Sequence, residues 1–376
     1  MLRTFNISNY RGFDKLELTG LGRINLLVGL NNSGKTSVLE AVGLLASGGN
    51  LRRLLSTMSL RGEWLHSERE PQRQEPGLAL SYLFHGYRVD QGSTIELSSE
   101  RSDGTAASLR LTIKAPPSPR PSEWPRPRDT RRFSQESEDA EPIFGCLEVS
   151  VGARVEHEIP ISEGWGIARN DLMDPPGLPR ARGTDEVPVE VITTASMAPS
   201  KLMEIVDSIQ LTDEESRVLD ALQLIEPRIT NFRPTVTRGR WGGGRQGVIL
   251  KLQGIDAVLP IGTMGDGSWR ILGLALALAA AKGGVLLVDE IDTGLHFEVM
   301  AKMWRLVFET AVRLDVQVFA TSHSRDCYES LATIADPEAD EDRRITIQRI
   351  EPDKGRAVLF TAQDIINAAR RGIEVR

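Results

Sequence analysis

Short apolar runs alternate with longer amphipathic segments along much of this chain, and this alternation is typical of an α/β protein. Four of the runs have the β-favouring composition of buried strands. They lie at Ile24–Val28, Val189–Ala195, Val285–Val288 and Val316–Ser324. Because continuous apolar runs are typical of parallel strands covered on both faces, we expect a mostly parallel central sheet flanked by helices.

Helical periodicity follows several of these strands. A helix is predicted from Lys35 to about Gly48, because the apolar residues of this segment fall on one face. Two more helices are predicted at Pro199–Ile209 and Thr212–Leu224, and Glu215 completes a capping box at the start of the second. These helices would cover the faces of the sheet.

Paired strand patterns predict several antiparallel hairpins. The N-terminal segment LRTFNISNYRGFDKLEL alternates and predicts two edge strands joined at the turn Arg11–Gly12. Further hairpins are predicted from CLEVSVGARVEHEIPI, from ITNFRPTV with QGVILKLQG, and from ITIQRIE with RAVLF, the last followed by a helix. An antiparallel β subdomain is therefore expected beside the parallel sheet.

The middle of the chain is less regular and suggests an insertion. Six prolines lie between Pro116 and Pro127, beside five arginines from Arg120 to Arg132. Because such a segment cannot bury enough apolar surface to fold alone, residues 115–142 are expected to be mobile. Its arginines are read as a solvated linker, with nucleic-acid contact as the alternative. We expect a core formed by residues 1–47 and 189–376, and an inserted subdomain at 48–188.

Bulk composition narrows the class of protein. The net charge is −7, which argues against a generally basic protein that coats nucleic acid. The two cysteines, Cys146 and Cys327, give neither a zinc spacing nor a disulfide framework, as in a reducing compartment. The N-terminus lacks a signal-peptide pattern, and the apolar stretch Ile271–Val288 is interrupted by Lys282 and two glycines. A cytoplasmic protein without a membrane span is expected.

A glycine-flanked lysine follows the first buried strand and carries the clearest chemical signal. The pattern G-x-x-x-x-G-K-[ST] lies between a predicted strand and a predicted helix, the context in which such a loop binds phosphate through its N–H groups. Lys35 would add a positive charge, and Thr36 would ligate Mg²⁺. A chance loop is the alternative. The candidate nucleotide-binding residues are Gly29, Leu30, Asn31, Asn32, Ser33, Gly34, Lys35, Thr36 and Ser37.

Two acidic residues end the strand at Val285–Val288 and supply a second half of the site. Asp289 is a candidate metal ligand, and Glu290 is a candidate base that polarises the attacking water. Two acids at a strand end can also be polar residues that merely end the strand and have no role in a site. His323, at the end of the Val316–Ser324 strand, is a candidate γ-phosphate switch, with a packing role as the alternative.

A glycine-rich turn opens an apolar helix 24 residues before Asp289. Gly265, Asp266 and Gly267 form this turn, and the start of a helix behind small residues can bind an anion. Since the chain already has such a site at Gly34, the second would serve a nucleotide held by another subunit. A simple N-cap by Asp266 or Ser268 is the alternative.

Taken in order, five motifs resemble the ABC-type ATPase head of the SMC-like branch, and most closely the OLD-like, AAA-annotated ATPases of bacteria. The motifs are NYRGF, GLNNSGKTSVLEAV, MGDGSWRILGLALALA, LLVDEIDTGLH and FATSHS. The resemblance covers Met1–Leu45 and about Val189–Arg376, and it implies a P-loop fold that binds ATP and Mg²⁺.

This resemblance also implies a homodimer that buries ATP between two heads. Glu290 would be the base, His323 the switch, and Thr36 with Asp289 the metal site. Gly265, Asp266 and Gly267 would contact the partner's γ-phosphate. Asp292, Thr293 and Gly294 would form the D-loop, which continues to His296 across the interface.

The sequence departs from the family pattern in several places. Gly265 stands where such proteins usually offer a serine hydroxyl, and no position for a glutamine loop stands out among four candidates. Long heptad arms and an acidic nuclease module are absent from the pattern, so further catalysis would need a separate partner. The four glutamines are Gln72, Gln74, Gln91 and Gln135.

Three functions are compatible with these motifs. The first is an ATPase whose dimerisation is switched by ATP and coupled to DNA, in repair or in defence against phage, with a partner nuclease. The second is a regulatory scaffold that restrains a toxic effector until ATP turnover releases it. The third, a nucleotide-binding subunit of a transporter, is disfavoured by GLNNSGKT and NYRGF.

Overall fold

The computed structural model describes residues 1–65, 77–116, 144–161, 165–167, 187–194, 199–238 and 244–375. The proline- and arginine-rich segment expected to be mobile, 115–142, lies outside these ranges except for its first two residues.

Seventeen strands and eight α-helices are named in chain order within the described residues. The strands are β1 Phe5–Tyr10, β2 Phe13–Leu18, β3 Ile24–Val28, β4 Leu78–Ala79, β5 Thr94–Glu100, β6 Ala106–Lys114, β7 Gly145–Val151, β8 Arg154–Ile161, β9 Gly166–Ile167, β10 Val189–Ile192, β11 Ile229–Arg238, β12 Gly244–Leu252, β13 Val258–Pro260, β14 Val285–Val288, β15 Gln317–Thr321, β16 Ile345–Glu351 and β17 Arg356–Phe360. The helices are α1 Lys35–Ala46, α2 Leu51–Leu60, α3 Pro199–Ile209, α4 Asp213–Gln223, α5 Asp266–Ala280, α6 Phe297–Arg313, α7 Arg325–Leu331 and α8 Ala362–Arg371.

Twelve strands form one sheet in the order β10-β14-β15-β3-β16-β17-β2-β1-β5-β6-β7-β8. The first five are parallel to one another, and the remainder pair mostly antiparallel. A separate antiparallel sheet contains β11, β12 and β13. The α/β fold class, with its parallel central sheet and antiparallel β part, is confirmed.

The apolar strands are buried because each face of the parallel sheet is covered by a hydrophobic cluster. In β3, Ile24, Leu26 and Val28 pack in one cluster with α5 and α6. Leu27 points to the opposite face and packs in a second cluster with α1 and α2. Successive side chains of a strand point to opposite faces, so a strand covered on both sides is mostly apolar. The one polar residue of β3, Asn25, is fully buried and donates to the carbonyl oxygens of Gly22 and Val318.

The N-terminal hairpin lies inside the sheet, which corrects the prediction of two edge strands. β1 and β2 pair antiparallel as expected, with Tyr10 opposite Phe13. β5 pairs with the outer side of β1, and β17 pairs with β2. Alternation indicates that one face of a strand is exposed, and it does not report whether a further strand pairs at its edge.

Other local predictions agree closely with the structure. The β7–β8, β11–β12 and β16–β17 hairpins pair antiparallel. The two predicted helices occur as α3 and α4, with Thr212 as the N-cap of α4. The predicted capping box is wrong in both bonds: the Thr212 hydroxyl accepts from the N–H of Glu214 rather than Glu215, and the Glu215 carboxylate accepts from the N–H of Leu211 rather than Thr212. No helix in the described ranges is long and apolar enough to cross a membrane.

Candidate functional site

The loop between β3 and α1 is shaped by two glycines with positive φ. Gly29 has φ 144° and Gly34 has φ 88°, values that other residues rarely adopt. A Cβ at Gly34 would lie 2.3 Å from the ring of Phe13, and one at Gly29 would lie 2.9 Å from the carbonyl oxygen of Ile350. The loop can therefore pass this close to its neighbours only with glycine at both positions.

Lys35 is the first residue of α1, and its ammonium group turns back into this loop. Nζ donates to the carbonyl oxygens of Gly29 at 3.0 Å and Leu30 at 2.8 Å. Burial lowers the pKa of Lys35, while Asp289 and Glu290 oppose that shift. The buried ammonium group is thus fixed inside the loop and faces the two carboxylates at the end of β14.

The two halves of the predicted site meet at the carboxyl ends of neighbouring parallel strands. β15 lies between β3 and β14 and pairs with both. The Thr36 hydroxyl donates to the Asp289 carboxylate at 3.2 Å, across 253 positions of the chain. The Thr321 hydroxyl donates to the same carboxylate at 2.6 Å.

Glu290 has an unusual backbone conformation, with φ 46°. Its N–H donates to the Thr321 hydroxyl at 2.8 Å, and its carboxylate accepts from the Thr293 hydroxyl at 3.2 Å. His323 lies two residues beyond the end of β15, so the prediction that the strand reaches it is wrong. The His323 Nε2 atom is 3.9 Å from the Glu290 carboxylate, and both side chains are partly exposed.

Gly265 is the N-cap of α5 with φ 84°, and this cap makes no side-chain hydrogen bond. The alternative of a simple N-cap by Asp266 or Ser268 is therefore not observed. A Cβ at Gly267 would lie 3.1 Å from the carbonyl oxygen of Gly294, so the turn at 265–267 packs against the predicted D-loop of the same chain.

An open cleft of about 590 Å³ lies between the loop that carries Lys35 and the carboxylates at the end of β14. Its lining residues are Asn31, Asn32, Ser33, Gly34, Lys35, Thr36, Ser37, Arg61, Asp289, Glu290 and His323. Neither the turn at 265–267 nor the D-loop residues 292–294 line it. Gln91 does not line it either, and the other three candidate glutamines lie outside the described residues.

Three residues of this region were not predicted as functional. Arg61 lines the cleft from the end of α2, and Thr321 holds the Asp289 carboxylate. Arg270 is 2 % exposed and lies within the apolar helix α5. A single arginine in an apolar helix is a sequence signal for a buried polar contact, because a charge is rarely buried without partners.

Arg270 connects α5 to the backbone that carries the two carboxylates. Its guanidinium donates to the carbonyl oxygens of Asp289 at 2.7 Å, Glu290 at 2.5 Å and Thr193 at 2.8 Å. Burial lowers the pKa of Arg270, opposed by Asp292, Asp289 and Glu290. Two sets of hydrogen bonds therefore hold Glu290 at its positive φ: its N–H donates to Thr321, and Arg270 donates to the carbonyl oxygens of Asp289 and Glu290.

The cleft has the chemistry to hold a magnesium nucleotide. N–H groups of a glycine loop and the N-terminus of α1 attract phosphate, and the Lys35 ammonium adds charge beside them. The hydroxyl of Thr36 and the carboxylate of Asp289 lie together and are oxygen ligands of the kind that Mg²⁺ prefers. Glu290, at the cleft wall, is a carboxylate that can accept a proton from water.

This fold, this site and the matching family model define the class: the chain is a P-loop ATPase, and its fold is similar to that of an SMC head. It belongs to the family described as "AAA domain, putative AbiEii toxin, Type IV TA system", whose model matches residues 24–162 and 196–326, more than two thirds of the chain.

Relatives and solved structures agree with this class. The chain is 22 % identical over 350 residues to a Helicobacter pylori "ATP/GTP phosphatase", covering 88 % of this chain and 87 % of the relative. It is 43 % identical to the "DNA replication and repair protein RecF" of Idiomarina loihiensis over 51 residues, 14 % of each chain.

Two crystal structures share the fold at low sequence identity. An SMC head bound to the C-winged helix domain of ScpA matches with a TM-score of 0.52 and 12 % identity, covering 96 % of this chain and 98 % of that chain. An SMC head of Pyrococcus furiosus, bound to the C-terminal domain of ScpA, matches with a TM-score of 0.51 and 10 % identity over 99 % of both chains.

Proposed function

We propose that this protein hydrolyses ATP with Mg²⁺ and works as a homodimer that ATP closes, in the cytoplasm, coupled to DNA transactions or to defence against phage with a partner nuclease. The OLD-like relation is part of this proposal. The observation that carries it is the 3.2 Å contact between Thr36 and Asp289, because it brings a phosphate loop and an acidic strand end into one cleft.

Each group of the cleft then has a chemical task. Lys35 and the loop N–H groups bind the phosphates, while Thr36 and Asp289 hold Mg²⁺, which neutralises phosphate charge when bound. Glu290 accepts a proton from the attacking water, and His323 orients the groups near the terminal phosphate. Thr321 holds both the Asp289 carboxylate and the Glu290 backbone in place.

A dimer is supported by two features of the surface around the cleft. The turn at 265–267 does not line the cleft of its own chain, as a turn that serves a partner's nucleotide requires. Two large apolar side chains that adjoin cleft residues in sequence are exposed, Leu30 by 79 % and Leu60 by 83 %, and Phe297, which follows the predicted D-loop, is exposed by 57 %. Apolar side chains in such positions become buried when a second head closes on the cleft.

The proposal is tested by measuring Mg²⁺-dependent ATP hydrolysis and the mass of the protein with and without ATP. We expect turnover, and a dimer that forms with ATP and is lost when Leu60 is replaced by Asp. Leu211 is 98 % exposed just before the N-cap of α4, so Leu211→Asp is the matched control and should leave the dimer intact. A monomer at saturating ATP would contradict the switch.

Coupling to DNA is tested separately by adding duplex DNA to the hydrolysis assay. The name of the RecF relative, a DNA replication and repair protein, supports this part of the proposal. We expect faster turnover and an affinity for DNA that falls steeply with salt, because phosphate contacts release counterions. Identical turnover with and without DNA would contradict the coupling.

A regulatory scaffold is the second candidate, and the family description, which names an AbiEii toxin and a Type IV TA system, favours it. In this case ATP turnover would release a restrained toxic effector. A stable complex with the product of a neighbouring gene, dissolved by ATP, would support the scaffold. A third candidate, a transporter subunit, has no observation in its favour.

A further inference from the structure

Two neighbouring strands carry concentrated positive charge in a protein that is acidic overall. β11 contains Arg233 and Arg238, β12 contains Arg245 and Lys251, and neither strand contains an acidic residue. The chain as a whole has a net charge of −7. Because a local cluster of one sign attracts an oppositely charged partner even on a protein of the other sign, this pair of strands is a distinct feature of the surface. We refer to β11 and β12 as the basic ribbon.

The strand register places three of the four basic positions on one face of the basic ribbon. Directly opposed residues of an antiparallel pair share a face, and so do residues two apart on one strand. Three opposed pairs therefore lie on the same face: Asn231 with Lys251, Arg233 with Ile249, and Thr237 with Arg245. Apart from Ile249, this face combines positive charges with neutral polar residues.

The opposite face of the basic ribbon is turned toward the core. Phe232, Val248 and Leu250 are at most 3 % exposed and belong to the hydrophobic cluster that packs on the parallel sheet. The basic face therefore points away from the core, and Arg233 is exposed on it. Within the described residues Arg233 takes part in no hydrogen bond or ion pair, so its guanidinium is available to a partner.

Lys251 fixes the other end of the basic face. Its ammonium group donates to the carbonyl oxygens of Ile255 at 2.7 Å and Asp256 at 2.8 Å. An ammonium group has three donors, so one remains for a further acceptor. Along β12, positions 245 and 251 are about 20 Å apart at the usual rise of a strand. This length corresponds to about six base pairs of duplex DNA.

We propose that the basic face binds duplex DNA through its phosphates, with Arg233, Arg245 and Lys251 as the contacts. This inference deepens the proposed function and rests on it only in taking DNA as the partner. A row of positive charges on an open strand face matches the regular spacing of phosphates, which needs no pocket. An acidic protein surface is the alternative partner, and a solvated face without a partner is the alternative role.

The basic ribbon is connected directly to the turn at 265–267. β12 pairs with β13, where Ile249 lies opposite Pro260. A single 3-10 turn, Ile261–Met264, follows at once and leads to Gly265, and Ile261 is fully buried. DNA held on the basic face thus acts on strands that continue into the turn proposed to contact the partner's nucleotide. This connection gives a physical route by which DNA accelerates ATP turnover.

The salt dependence of DNA binding tests the contacts one by one. The affinity for a labelled duplex is measured by fluorescence anisotropy without ATP, at several salt concentrations. Arg233→Ala and Arg245→Ala are each expected to weaken binding several-fold, to a similar extent for different DNA sequences. Each should also lower the slope of log affinity against log salt by about one, and the double variant by about two.

Arg154→Ala is the matched control for these variants. Arg154 is likewise an exposed arginine of an antiparallel strand, but it lies in β8, the terminal strand of the twelve-stranded sheet. We expect its affinity for DNA and its salt slope to equal those of the parent protein. Unchanged slopes in both Arg233→Ala and Arg245→Ala, or an equal loss in Arg154→Ala, would overturn the proposal.

Two further measurements separate DNA from the alternative partner. Arg233→Lys keeps the charge and should retain most of the affinity, because a phosphate contact needs a positive charge rather than a planar fork. Poly-glutamate of equal total charge is then used as a competitor against the labelled duplex. It should compete poorly, and competition as strong as that of unlabelled duplex would overturn the assignment to DNA.

ATP hydrolysis by the same variants distinguishes failure of this inference from failure of the proposed function. Arg233→Ala should hydrolyse ATP at the parent rate without DNA and lose most of the acceleration by DNA. If the parent protein does not hydrolyse ATP, the proposed function is wrong, while the binding data, obtained without ATP, still decide the inference. If it hydrolyses ATP and binds DNA independently of Arg233 and Arg245, only the inference is wrong.

Discussion

At the scale of single residues, the chemistry depends on a strained peptide at the end of β14. Glu290 has φ 46°, a region that costs a residue with a side chain of order 1–3 kcal/mol. Thr321 accepts from its N–H, and Arg270 donates to the carbonyl oxygens of Asp289 and Glu290. These bonds stabilise a geometry that turns two consecutive carboxylates toward the same cleft.

Replacing Glu290 by Gln should abolish turnover and preserve ATP binding. The amide keeps the shape of the side chain but cannot accept a proton from water, and we expect turnover to fall by about 10²–10⁴-fold. Because ATP still binds, the dimer should persist rather than dissociate. Hydrolysis and mass are measured on the same sample, and turnover equal to that of the parent protein would refute the base role.

Replacing Thr321 by Val should reduce turnover strongly, while lowering the free energy of unfolding only modestly. The change removes the hydroxyl that donates to Asp289 at 2.6 Å, and the destabilisation should be about 1–2 kcal/mol by urea unfolding. Thr346→Val is the matched control, because its buried hydroxyl bonds to Asn25 at 3.0 Å in β16, away from the cleft. An equal loss of turnover in both variants would count against a special role of Thr321.

Tyr10 should make the stability of the protein depend on pH in the alkaline range. Burial raises the pKa of Tyr10 from its ordinary value of 10.0 to about 12. The folded state therefore favours the neutral phenol, so this contribution is complete below pH 10 and is lost as the pH rises to about 12. Over that window the free energy of unfolding should fall by about 2–3 kcal/mol more than in Tyr10→Phe. Parallel pH profiles for the two proteins would disprove this.

Motif residues could be predicted from the sequence, while their supporting residues could not. Lys35, Thr36, Asp289 and Glu290 are recognised because the chemistry needs those residue types at the ends of buried strands. Arg61 reaches the cleft only through the path of α2, and its pair with Glu40 is a tertiary contact. Nothing in the local pattern of either residue reports this pairing.

At the scale of elements, the site depends on how closely α1 approaches the strands. Gly34 ends the loop in a left-handed conformation against the ring of Phe13 in β2. The start of α1 at Lys35 was predicted, and the helix ends at Ala46, close to the predicted Gly48. The strand predicted at Val316–Ser324 is shorter, since β15 occupies only Gln317–Thr321. The residues of the predicted run outside β15 are Val316 and the segment 322–324. Composition alone does not show that they lie in loops rather than in the strand.

Two glycine substitutions should therefore have opposite effects. Gly34→Ala places a Cβ 2.3 Å from Phe13 at φ 88°, and we expect several kcal/mol of destabilisation together with loss of ATP binding. Gly273 lies in the interior of α5, where a Cβ meets nothing within 4 Å. Gly273→Ala should stabilise the protein by about 0.5–1 kcal/mol. Urea unfolding of both variants provides the measurement, and destabilisation by Gly273→Ala would show that the helix interior is less open than the structure indicates.

At the scale of the whole molecule, one sheet carries both the site and the β-rich half. The parallel strands β14, β15 and β3 place their carboxyl ends together, and β16 and β17 connect them to the N-terminal hairpin. β5 to β8, which fall in the segment expected to be an insertion, continue the same sheet. The division into a core at 1–47 and 189–376 with an insertion at 48–188 remains a proposal.

The order of the strands is the part of the fold that the sequence pattern could not give. β10 pairs with β14, and β16 pairs with β3, across separations of many tens to hundreds of residues. Hydrophobic patterning reports which face of a strand is buried, whereas it does not report which strand lies beside it. The class of fold was therefore predictable, while the interior position of the N-terminal hairpin was not.

The central claim is that the two ends of the chain share one magnesium nucleotide, and a crystal structure of the Glu290→Gln variant with ATP and Mg²⁺ tests it most directly. We predict the phosphates against residues 29–37, with the metal ion between the Thr36 hydroxyl and the Asp289 carboxylate. A nucleotide bound elsewhere, or phosphates remote from both Lys35 and Asp289, would contradict this account.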